Sequence, residues 1–530
     1  HSPNLLNMAS KGHIFLGLLV LLGSFISYSN AASAALSPSY KISSFNRSSF
    51  PSDFYFGAAS ASYQYEGAVK EGDRKPSMWD YYSHKYPEKI TDGSNGDVAI
   101  DQYHRYKEDV AILKDMGGDS YRFSIAWVRI LPTGKLKDGV NAEGVAYYNR
   151  LIDELIAQGL TPFATIFHWD IPQTLEEEYG GFLSEKVVPD FQDFAEVCYK
   201  EFGDRVKHWI TLNEPWTYSN GGYAQGILAP FRCSSFYNPN CTGGDSGVEP
   251  YVVSHNLLLA HAHAVEVYKT KYQASQKGVI GITHVCYWME PYSNSAEDHN
   301  ASLRALDFMC GWFMDPMTTG DYPASMRSLV GSRLPTFTAN QSAMIKGAYD
   351  FVGLNYYTAN YAAYAPSYQH VNKSYMTDGL VNQTTSRNGV LIGPAVYLYI
   401  YIYTGSPWLK IYPKGLRDLL NYFKYKYNDP EIYITENGVS EVNNETLSLE
   451  ESLVDSQRVE YYYGHLSYLN KSIGDGVKVK GYFAWSLMDN YEWSSGYTVR
   501  FGLYYIDYNH NLTRHAKVSA NWFKNFLLAS

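Results

Sequence analysis

The feature that most constrains the fold is a regular alternation along the chain. Short apolar runs rich in β-branched and aromatic residues recur between amphipathic segments, which predicts parallel strands joined by crossover helices. Eight such runs are present, the number that closes a (β/α)8 barrel. They lie at 54–58, 120–125, 163–168, 206–212, 279–285, 351–355, 431–435 and 479–485. The sequence therefore predicts an α/β fold, a single (β/α)8 TIM barrel with long decorating loops at about 220–250, 287–345 and 358–408.

Charge and the N-terminal region indicate the compartment. The 530 residues carry a formal charge of −10, which argues against a nucleic-acid partner or a polybasic membrane contact. Lys11 precedes an apolar run at 14–26, too short to span a bilayer, and small residues follow at 31–35. We expect residues 1–35 to be leader and signal peptide and residues 36–530 to form the barrel domain. The expected location is the secretory pathway, ending in the extracellular space and cell wall or in the vacuole.

Cysteines and glycosylation motifs fit an oxidising compartment. Cys233 and Cys241 bracket a short loop, a spacing that predicts a local disulfide. Cys198, Cys286 and Cys310 lie in apolar surroundings and are interpreted as buried thiols. No Cys/His cluster has metal-ligand spacing, so we predict no metal and no cofactor. Nine N-x-S/T motifs are candidate glycosylation sites: Asn46, Asn240, Asn300, Asn340, Asn372, Asn382, Asn444, Asn470 and Asn511.

Two glutamates end predicted strands, at the edge of the barrel where chemistry is expected. Glu214 follows the fourth apolar run and Glu436 the seventh, so they would face one another across the barrel mouth. Glycoside hydrolysis needs such a pair, one carboxyl protonated and the other ionised. Arg122, on the second strand, would keep Glu436 ionised. A single glutamate here is more simply a salt bridge, but two in this context favour catalysis.

Other side chains near the strand ends suit a sugar. Amide, imidazole and carboxylate groups bind hydroxyls, and indole rings stack on sugar rings. Each residue alone is more often part of a core, but their joint placement favours a sugar-binding site. Only the fifth strand ends without an obvious polar candidate. The candidates are Gln64, His168, Asn213, Glu492, Trp485 and Trp493.

Several longer motifs resemble a known family in content and order. They are F-x-F-G-A-A-S-A-S-Y-Q at 54–64, Y-R-F-S-I-A-W at 121–127, F-H-W-D at 167–170, T-L-N-E-P at 211–215, N-Y-Y at 355–357, I-T-E-N-G at 434–438 and A-W-S-L-M-D-N-Y-E-W at 484–493. From about residue 43 onward the chain resembles plant members of glycoside hydrolase family 1, the retaining β-glucosidases.

The resemblance implies a double displacement that retains the anomeric configuration. Glu214 would be the acid/base and Glu436 the nucleophile, supported by Arg122 and Tyr357, with the carboxyl groups about 5–5.5 Å apart. Trp408 resembles the family's platform for the aglycone. The implied substrate-binding set is Gln64, His168, Trp169, Asn213, Asn355, Trp408, Trp485, Glu492 and Trp493.

The expected substrate is an O-linked β-D-glucoside of a plant secondary metabolite. Glu214 differs from the glutamine of the myrosinase branch, and Glu492 from the serine of phospho-glycosidases. The aglycone would contact loops near 219–223 and 359–364, Trp408 and Ser494. The residues at 229–233 depart from the family pattern, and the 397–403 run resembles an insertion.

Other readings stay open at this point. One is a disaccharide-specific β-glycosidase or transglucosidase, because the outer pocket decides between water and another acceptor. Another is a catalytically silent sugar-binding protein. The sequence also leaves open a homo-oligomer.

Overall fold

The computed structural model describes residues 44–393 and 405–529. Eight parallel strands close into a barrel, which confirms the predicted fold class. The expected leader and signal peptide, residues 1–35, and the 397–403 run lie outside the described residues. The strands are β1 Tyr55–Ala59, β2 Ser120–Ser124, β3 Thr161–Phe167, β4 His208–Asn213, β5 Val279–Val285, β6 Phe351–Asn355, β7 Ile432–Asn437 and β8 Val479–Ala484. Their order around the barrel is β1-β8-β7-β6-β5-β4-β3-β2.

Helices surround the barrel and bury one face against it. In Ala142–Ala157, Tyr147, Tyr148, Leu151 and Leu155 are buried, a spacing of three and four residues that forms one apolar stripe. The α-helices are Ser62–Tyr65, Met78–Lys85, Gln102–Asp115, Trp127–Ile130, Ala142–Ala157, Gln173–Tyr179, Val187–Phe202, Pro215–Asn220, Glu249–Val267, Gln273–Gln276, Ala296–Leu306, Trp312–Thr319, Ala324–Val330, Ala339–Ile345, Tyr375–Asp378, Pro413–Lys426, Leu449–Ser452, Ser456–Gly474 and Val518–Leu528.

Small sheets decorate the barrel. A three-stranded sheet contains Trp288–Pro291, Ala359–Tyr364 and Val381–Thr384, so residues 359–364 form a strand where the sequence suggested a loop. Three two-stranded pairs complete the set: Ser386–Arg387 with Val390–Leu391, Glu441–Val442 with Val499–Arg500, and Tyr504–Asp507 with Thr513–Ala516.

Aromatic rings fill the barrel interior near the N-terminal ends of the strands. The Phe163 ring stacks on His208 with centroids 4.0 Å apart, and it meets Phe483 and Tyr433 at 4.8 Å and 5.3 Å. Such packing closes this end of the barrel. The cavity described below lies at the opposite end, where the strands finish.

One of the cysteine predictions is confirmed and one is wrong. Cys233 and Cys241 form the predicted disulfide, with Cα atoms 5.5 Å apart. The interpretation of Cys286 and Cys310 as buried thiols is wrong, because they form a second disulfide with a Cα separation of 5.7 Å. Cys286 directly follows β5, and Cys310 lies in a helical turn packed against it, so the fold joins cysteines that are 24 positions apart. Among the described residues, Cys198 is the free cysteine, and it is buried.

The candidate glycosylation sites differ in exposure. Asn46 is buried, and its side chain accepts a hydrogen bond at the start of a short helical turn. Asn470 is half-buried, and the other seven candidates are exposed; their modification stays a prediction. In the described part of the chain, no helix has both the length and the apolar character needed to cross a bilayer.

Candidate active site

Glu214 and Glu436 lie at the open end of the barrel and line one cavity of about 630 Å³. Glu436 is within β7, and Glu214 directly follows β4 as the N-cap of helix Pro215–Asn220. Glu214 has a φ of +44°, a left-handed conformation that is strained for a residue with a side chain. Such strain clusters at functional sites, and here it turns the chain sharply from strand to helix at the cavity.

Donors surround the Glu436 carboxylate. Arg122 Nη1 donates to its Oε1 at 2.5 Å, and Tyr357 Oη donates to its Oε2 at 2.6 Å. The guanidinium is itself fixed, because Nη2 donates to Asn213 Oδ1 at 2.6 Å. Burial raises the pKa of Glu436, and the guanidinium and the phenol act in the opposite direction. Glu436 is therefore the carboxyl whose contacts favour the ionised form, as its predicted role requires.

Glu214 has a different environment. Asn355 Nδ2 donates to Oε1 and Thr217 Oγ1 to Oε2, both at 2.7 Å, but no guanidinium or ammonium group is bonded to it within the described residues. Burial, followed by the charge of Glu436, raises the pKa of Glu214 to about 8. It therefore holds a proton up to neutral pH. The two environments separate the acid from the base in the way that glycoside hydrolysis needs.

A chain of hydrogen bonds orients Asn355. Thr283 Oγ1 donates to Thr435 Oγ1 at 3.2 Å, which donates to Asn355 Oδ1 at 2.7 Å. The amide nitrogen then points at Glu214. Asn355 is fully buried and its bonds are to protein, so it lies behind Glu214. Thr283 belongs to β5, and its backbone carbonyl also accepts the N–H of Glu214 at 2.9 Å, so the strand with no predicted candidate positions the predicted acid/base.

Three predicted sugar ligands have a buried polar atom that finds no hydrogen-bond partner in the described part of the protein: Gln64 Oε1, His168 Nδ1 and Glu492 Oε1. Both amide protons of Gln64 are used, by Asn490 Oδ1 at 2.8 Å and Tyr491 O at 2.7 Å. Buried polar atoms are normally paired. Hydroxyl groups of a bound sugar would satisfy all three.

His168 is held as a neutral donor. Its Nε2 lies 2.9 Å from Asn213 Nδ2, and Asn213 Oδ1 already accepts from Arg122. Because Asn213 must then donate to Nε2, the proton is on Nδ1, the atom without a protein partner. Burial, helped by the charge of Arg122, lowers the pKa of His168 well below its usual value.

Aromatic rings line the cavity. Trp485, Trp493 and Trp169 surround the inner part, with Trp169 and Trp493 centroids 4.6 Å apart. Trp408 lies farther out, 42% exposed, and stacks on Tyr287 at 6.0 Å. Two positions of the expected aglycone segment at 219–223, and Ser494, line the cavity; none of residues 359–364 does, because that segment pairs with other strands away from the mouth.

Sequence reasoning missed residues on the outer wall. Tyr287, Trp216, Thr217 and Phe308 line the cavity. Tyr287 follows β5 by two positions, so it was recognisable as a strand-end residue, whereas Phe308 lies within a long insert and had no such signal. No group of three or more His, Cys, Asp or Glu side chains placed to hold a metal ion occurs in residues 44–393 and 405–529.

A buried ionic cluster anchors the loop after β8. Lys517 Nζ donates to Asp489 Oδ1 at 2.8 Å, and Arg500 Nη1 to Asp489 Oδ2 at 2.6 Å. Asp489 immediately precedes Asn490, the partner of Gln64, and lies three positions before Glu492. The cluster therefore holds the segment that brings these predicted sugar ligands together.

The comparison with protein families decides the assignment. The model for glycosyl hydrolase family 1 matches residues 46–529, nearly the whole described chain. The chain belongs to glycosyl hydrolase family 1.

Relatives within family 1 are close. β-Glucosidase 24 of Oryza sativa subsp. japonica is 60% identical, with 91% of this chain and 94% of the relative covered. The isoflavonoid 7-O-β-apiosyl-glucoside β-glycosidase of Dalbergia nigrescens is 55% identical, with 98% and 92% covered. The resemblance inferred from the motifs is confirmed.

Solved structures agree. A crystal structure of a rice β-glucosidase superposes with a TM-score of 0.88 at 50% identity, covering 91% of this chain and 99% of that one. A mutant of the same rice enzyme, in a covalent complex with glucose, gives 0.87 at 49% identity, with the same shares of the two chains covered. This family 1 chain is a retaining O-glycoside hydrolase of the β-glucosidase type. The roles of individual residues and the separation of the two carboxyl groups stay predictions.

Proposed function

We propose that this family 1 chain hydrolyses O-linked β-D-glucosides of plant secondary metabolites through a covalent glucosyl-enzyme. The observation that carries the proposal is the asymmetry of the carboxyl pair. Glu436 is bonded to Arg122 and Tyr357, whereas the pKa of Glu214 is raised to about 8. The pair thus has one group suited to attack and one suited to proton donation.

The reaction takes two steps. In the first, a Glu436 oxygen forms a bond to the anomeric carbon while the bond to the glycosidic oxygen breaks, and Glu214 gives its proton to that oxygen. In the second, the Glu214 carboxylate takes a proton from water, whose oxygen attacks the anomeric carbon and releases Glu436. Each step inverts the configuration, so the released sugar keeps the β configuration.

The outer cavity supports an aromatic or terpenoid-sized aglycone. Its walls include Trp216, Phe308 and Trp408, which offer flat apolar surface. Two relatives are named for such substrates, the isoflavonoid glycosidase of Dalbergia nigrescens and the raucaffricine-O-β-D-glucosidase of Rauvolfia serpentina, 54% identical. These names describe those proteins and support the same substrate class here.

The test supplies an aryl β-D-glucoside at pH 5–6 and follows the released sugar by NMR. We expect β-glucose to appear first and Glu436→Gln to be inactive. Glu431→Gln is the matched control, because Glu431 is exposed and immediately precedes the same strand. Release of α-glucose first would exclude the double displacement. A folded wild-type protein with no turnover would exclude the proposed function.

A disaccharide-specific activity is the second candidate. The relative from Dalbergia nigrescens is named for an apiosyl-glucoside, which supports testing a glucoside with a second sugar attached. Release of an intact disaccharide, faster than release of glucose from the simple glucoside, would favour this candidate. Transfer to an added alcohol in place of water would favour the transglucosidase.

We also propose that the protein travels through the secretory pathway to the cell wall or vacuole. Two disulfides and seven exposed glycosylation motifs support this. Expression in plant cells, followed by deglycosylation and fractionation, tests it. A cytosolic protein whose mobility is unchanged by deglycosylation would contradict it.

A further inference from the structure

We propose that Asn220 forms a polar subsite that binds a hydroxyl group of the aglycone, beyond the glycosidic bond. This inference rests on the proposed function and specifies its substrate further. Nothing in the motifs or in the catalytic pair calls for an amide at this position.

The first observation is the direction of one helix face. Thr217, Asn220 and Gly221, spaced three and four residues apart in and just after helix Pro215–Asn220, all line the cavity, so they share a side of the helix. Thr217 marks the catalytic end of this face, since it donates to Glu214. Asn220 lies six positions beyond Glu214, a rise of about 9 Å along the helix. That is the reach of the aglycone and not of the glucose.

The second observation is an unsatisfied amide. The Asn220 side chain is only 3% exposed, and its Oδ1 is buried without a hydrogen-bond partner among the described residues. Buried amides without a partner are rare in native proteins and call for an explanation. A ligand that supplies a hydrogen here provides one.

The third observation is that the helix cannot turn the amide away. Ser254 Oγ donates to Ser219 Oγ at 2.9 Å, and the Tyr218 ring packs against Phe167 and Phe182 with centroids 5.5 Å and 5.7 Å apart. These contacts hold the opposite face of the helix on the barrel. Asn220 therefore stays on the side of the helix that borders the cavity.

The side chains around Asn220 leave room for a ligand. Gly221 adds no side chain next to Asn220, and a Cβ there would lie 2.5 Å from Leu228 Cδ1. Ile227 and Leu228 line the same part of the cavity and offer no side-chain hydrogen bond. A polar atom of the aglycone that reaches this region meets Asn220 beside these apolar side chains, and Gln225 also lines the cavity, so the wall discriminates by chemistry as well as by shape.

The ligand group is a hydroxyl. The Oδ1 atom of asparagine only accepts, so its partner must donate, and a hydroxyl can also accept from Nδ2. A phenolic ring and a second sugar unit both carry such a group at a distance from the glycosidic oxygen. The shared chemistry is a hydroxyl donor, and the experiment separates the two sources.

The experiment compares matched substrates on the full-length protein. The phenolic pair is biphenyl-4-yl β-D-glucoside with and without a hydroxyl on the distal ring. The sugar pair is a β-linked glucose disaccharide and its monodeoxy analogue in the reducing unit. For at least one pair, we expect the wild type to favour the hydroxylated member by about tenfold in kcat/KM, the worth of one ordinary hydrogen bond.

Variants assign the preference to Asn220. In Asn220→Leu, which keeps the size of the side chain, we expect the ratio to fall to about one, whereas Asn220→Asp retains an acceptor and keeps a ratio above one. Asn525→Leu, at an exposed position of the C-terminal helix, should keep the wild-type ratio. A ratio near one in the wild type for both pairs, or a high ratio that survives Asn220→Leu, overturns the proposal. The wild-type ratio alone decides the matter if Asn220→Leu does not fold.

A binding measurement separates this proposal from the proposed function. Calorimetry of wild-type protein with free 4-phenylphenol, and with the same compound carrying a hydroxyl on the distal ring, needs no turnover. Tighter binding of the hydroxylated compound by about tenfold, lost in Asn220→Leu, supports the subsite even if no glucoside is hydrolysed. Equal binding together with a substrate ratio of one overturns the subsite while leaving the hydrolase intact.

Discussion

Replacing Tyr357 with phenylalanine removes one of the two side-chain donors to the predicted nucleophile and leaves the ring in place. The lost bond is 2.6 Å long and reaches a buried carboxylate. Hydrogen bonds to charged groups contribute about 1.5–3 kcal/mol, and one pKa unit corresponds to about 1.4 kcal/mol. The bond favours the ionised form, so its loss raises the pKa of Glu436 by about one to two units. A larger fraction of Glu436 is then protonated at acidic pH.

The assay is the pH dependence of kcat/KM for an aryl β-glucoside, which reports the ionisations of the free enzyme. We expect the acidic limb of Tyr357→Phe to move up by about one to two pH units, so that kcat/KM at a given pH on that limb falls about tenfold or more. The alkaline limb, which reports the proton on Glu214, should stay in place. Tyr356→Phe is the control, because that buried hydroxyl donates to the carbonyl of Tyr412 and not to a carboxylate. An unmoved acidic limb in Tyr357→Phe, or an equal shift in Tyr356→Phe, would refute the reasoning.

Three further predictions concern the acid/base and the disulfides. Wild-type kcat/KM should fall as the pH rises through about 8, where Glu214 loses its proton. Thr217→Val should move this alkaline limb to higher pH, because Thr217 donates to the carboxyl and favours its ionised form. A shift of the limb to lower pH would contradict the assignment. Glu214→Gln should lower kcat/KM, which reports the first step, about 10²- to 10⁴-fold for a glucoside with a poor leaving group and much less for a dinitrophenyl glucoside. An equal loss of kcat/KM for both would show that Glu214 is not the acid. Peptide mapping without reduction should link Cys233 to Cys241 and Cys286 to Cys310 and leave Cys198 as a thiol. Removing the Cys286–Cys310 disulfide should lower the free energy of unfolding by about 2–4 kcal/mol. Recovery of Cys286 as a free thiol would disprove this disulfide.

The barrel strands were predictable because burial on both faces leaves a continuous apolar run in the sequence. Two of them, at 279–285 and 351–355, have the predicted bounds, and the others differ by one or two residues at an end. The decorations were not predictable in the same way. The strand at 359–364 is formed through pairing with 288–291 and 381–384, and no local sequence pattern predicts these contacts.

The carboxyl pair was visible for the same reason, since a charged residue after an apolar run stands out. What the sequence did not reveal are partners that become neighbours only through the barrel. Thr283 and Thr435 look like ordinary strand residues, yet together they orient Asn355 towards Glu214. Cys286 and Cys310 likewise looked like separate apolar thiols until β5 and the following helical turn brought them together. Pairings of this kind depend on tertiary structure, and no repeating pattern in the sequence predicts them.

Closure of the barrel also determines the stage of synthesis at which the sugar-binding site is complete. Gln64 and its partner Asn490 are 426 positions apart, and they meet only because β1 pairs with β8. The loop that carries Asn490 is itself held by Lys517, just before the last helix. A ribosome-bound chain with its first seven strands folded would already contain Glu214 and Glu436, yet it would lack three of the predicted sugar contacts, Trp485, Glu492 and Trp493. Premature termination, or clipping near the C-terminus, would therefore leave an inert product, and glucosides in the cell that makes the protein meet an active enzyme only after synthesis is complete.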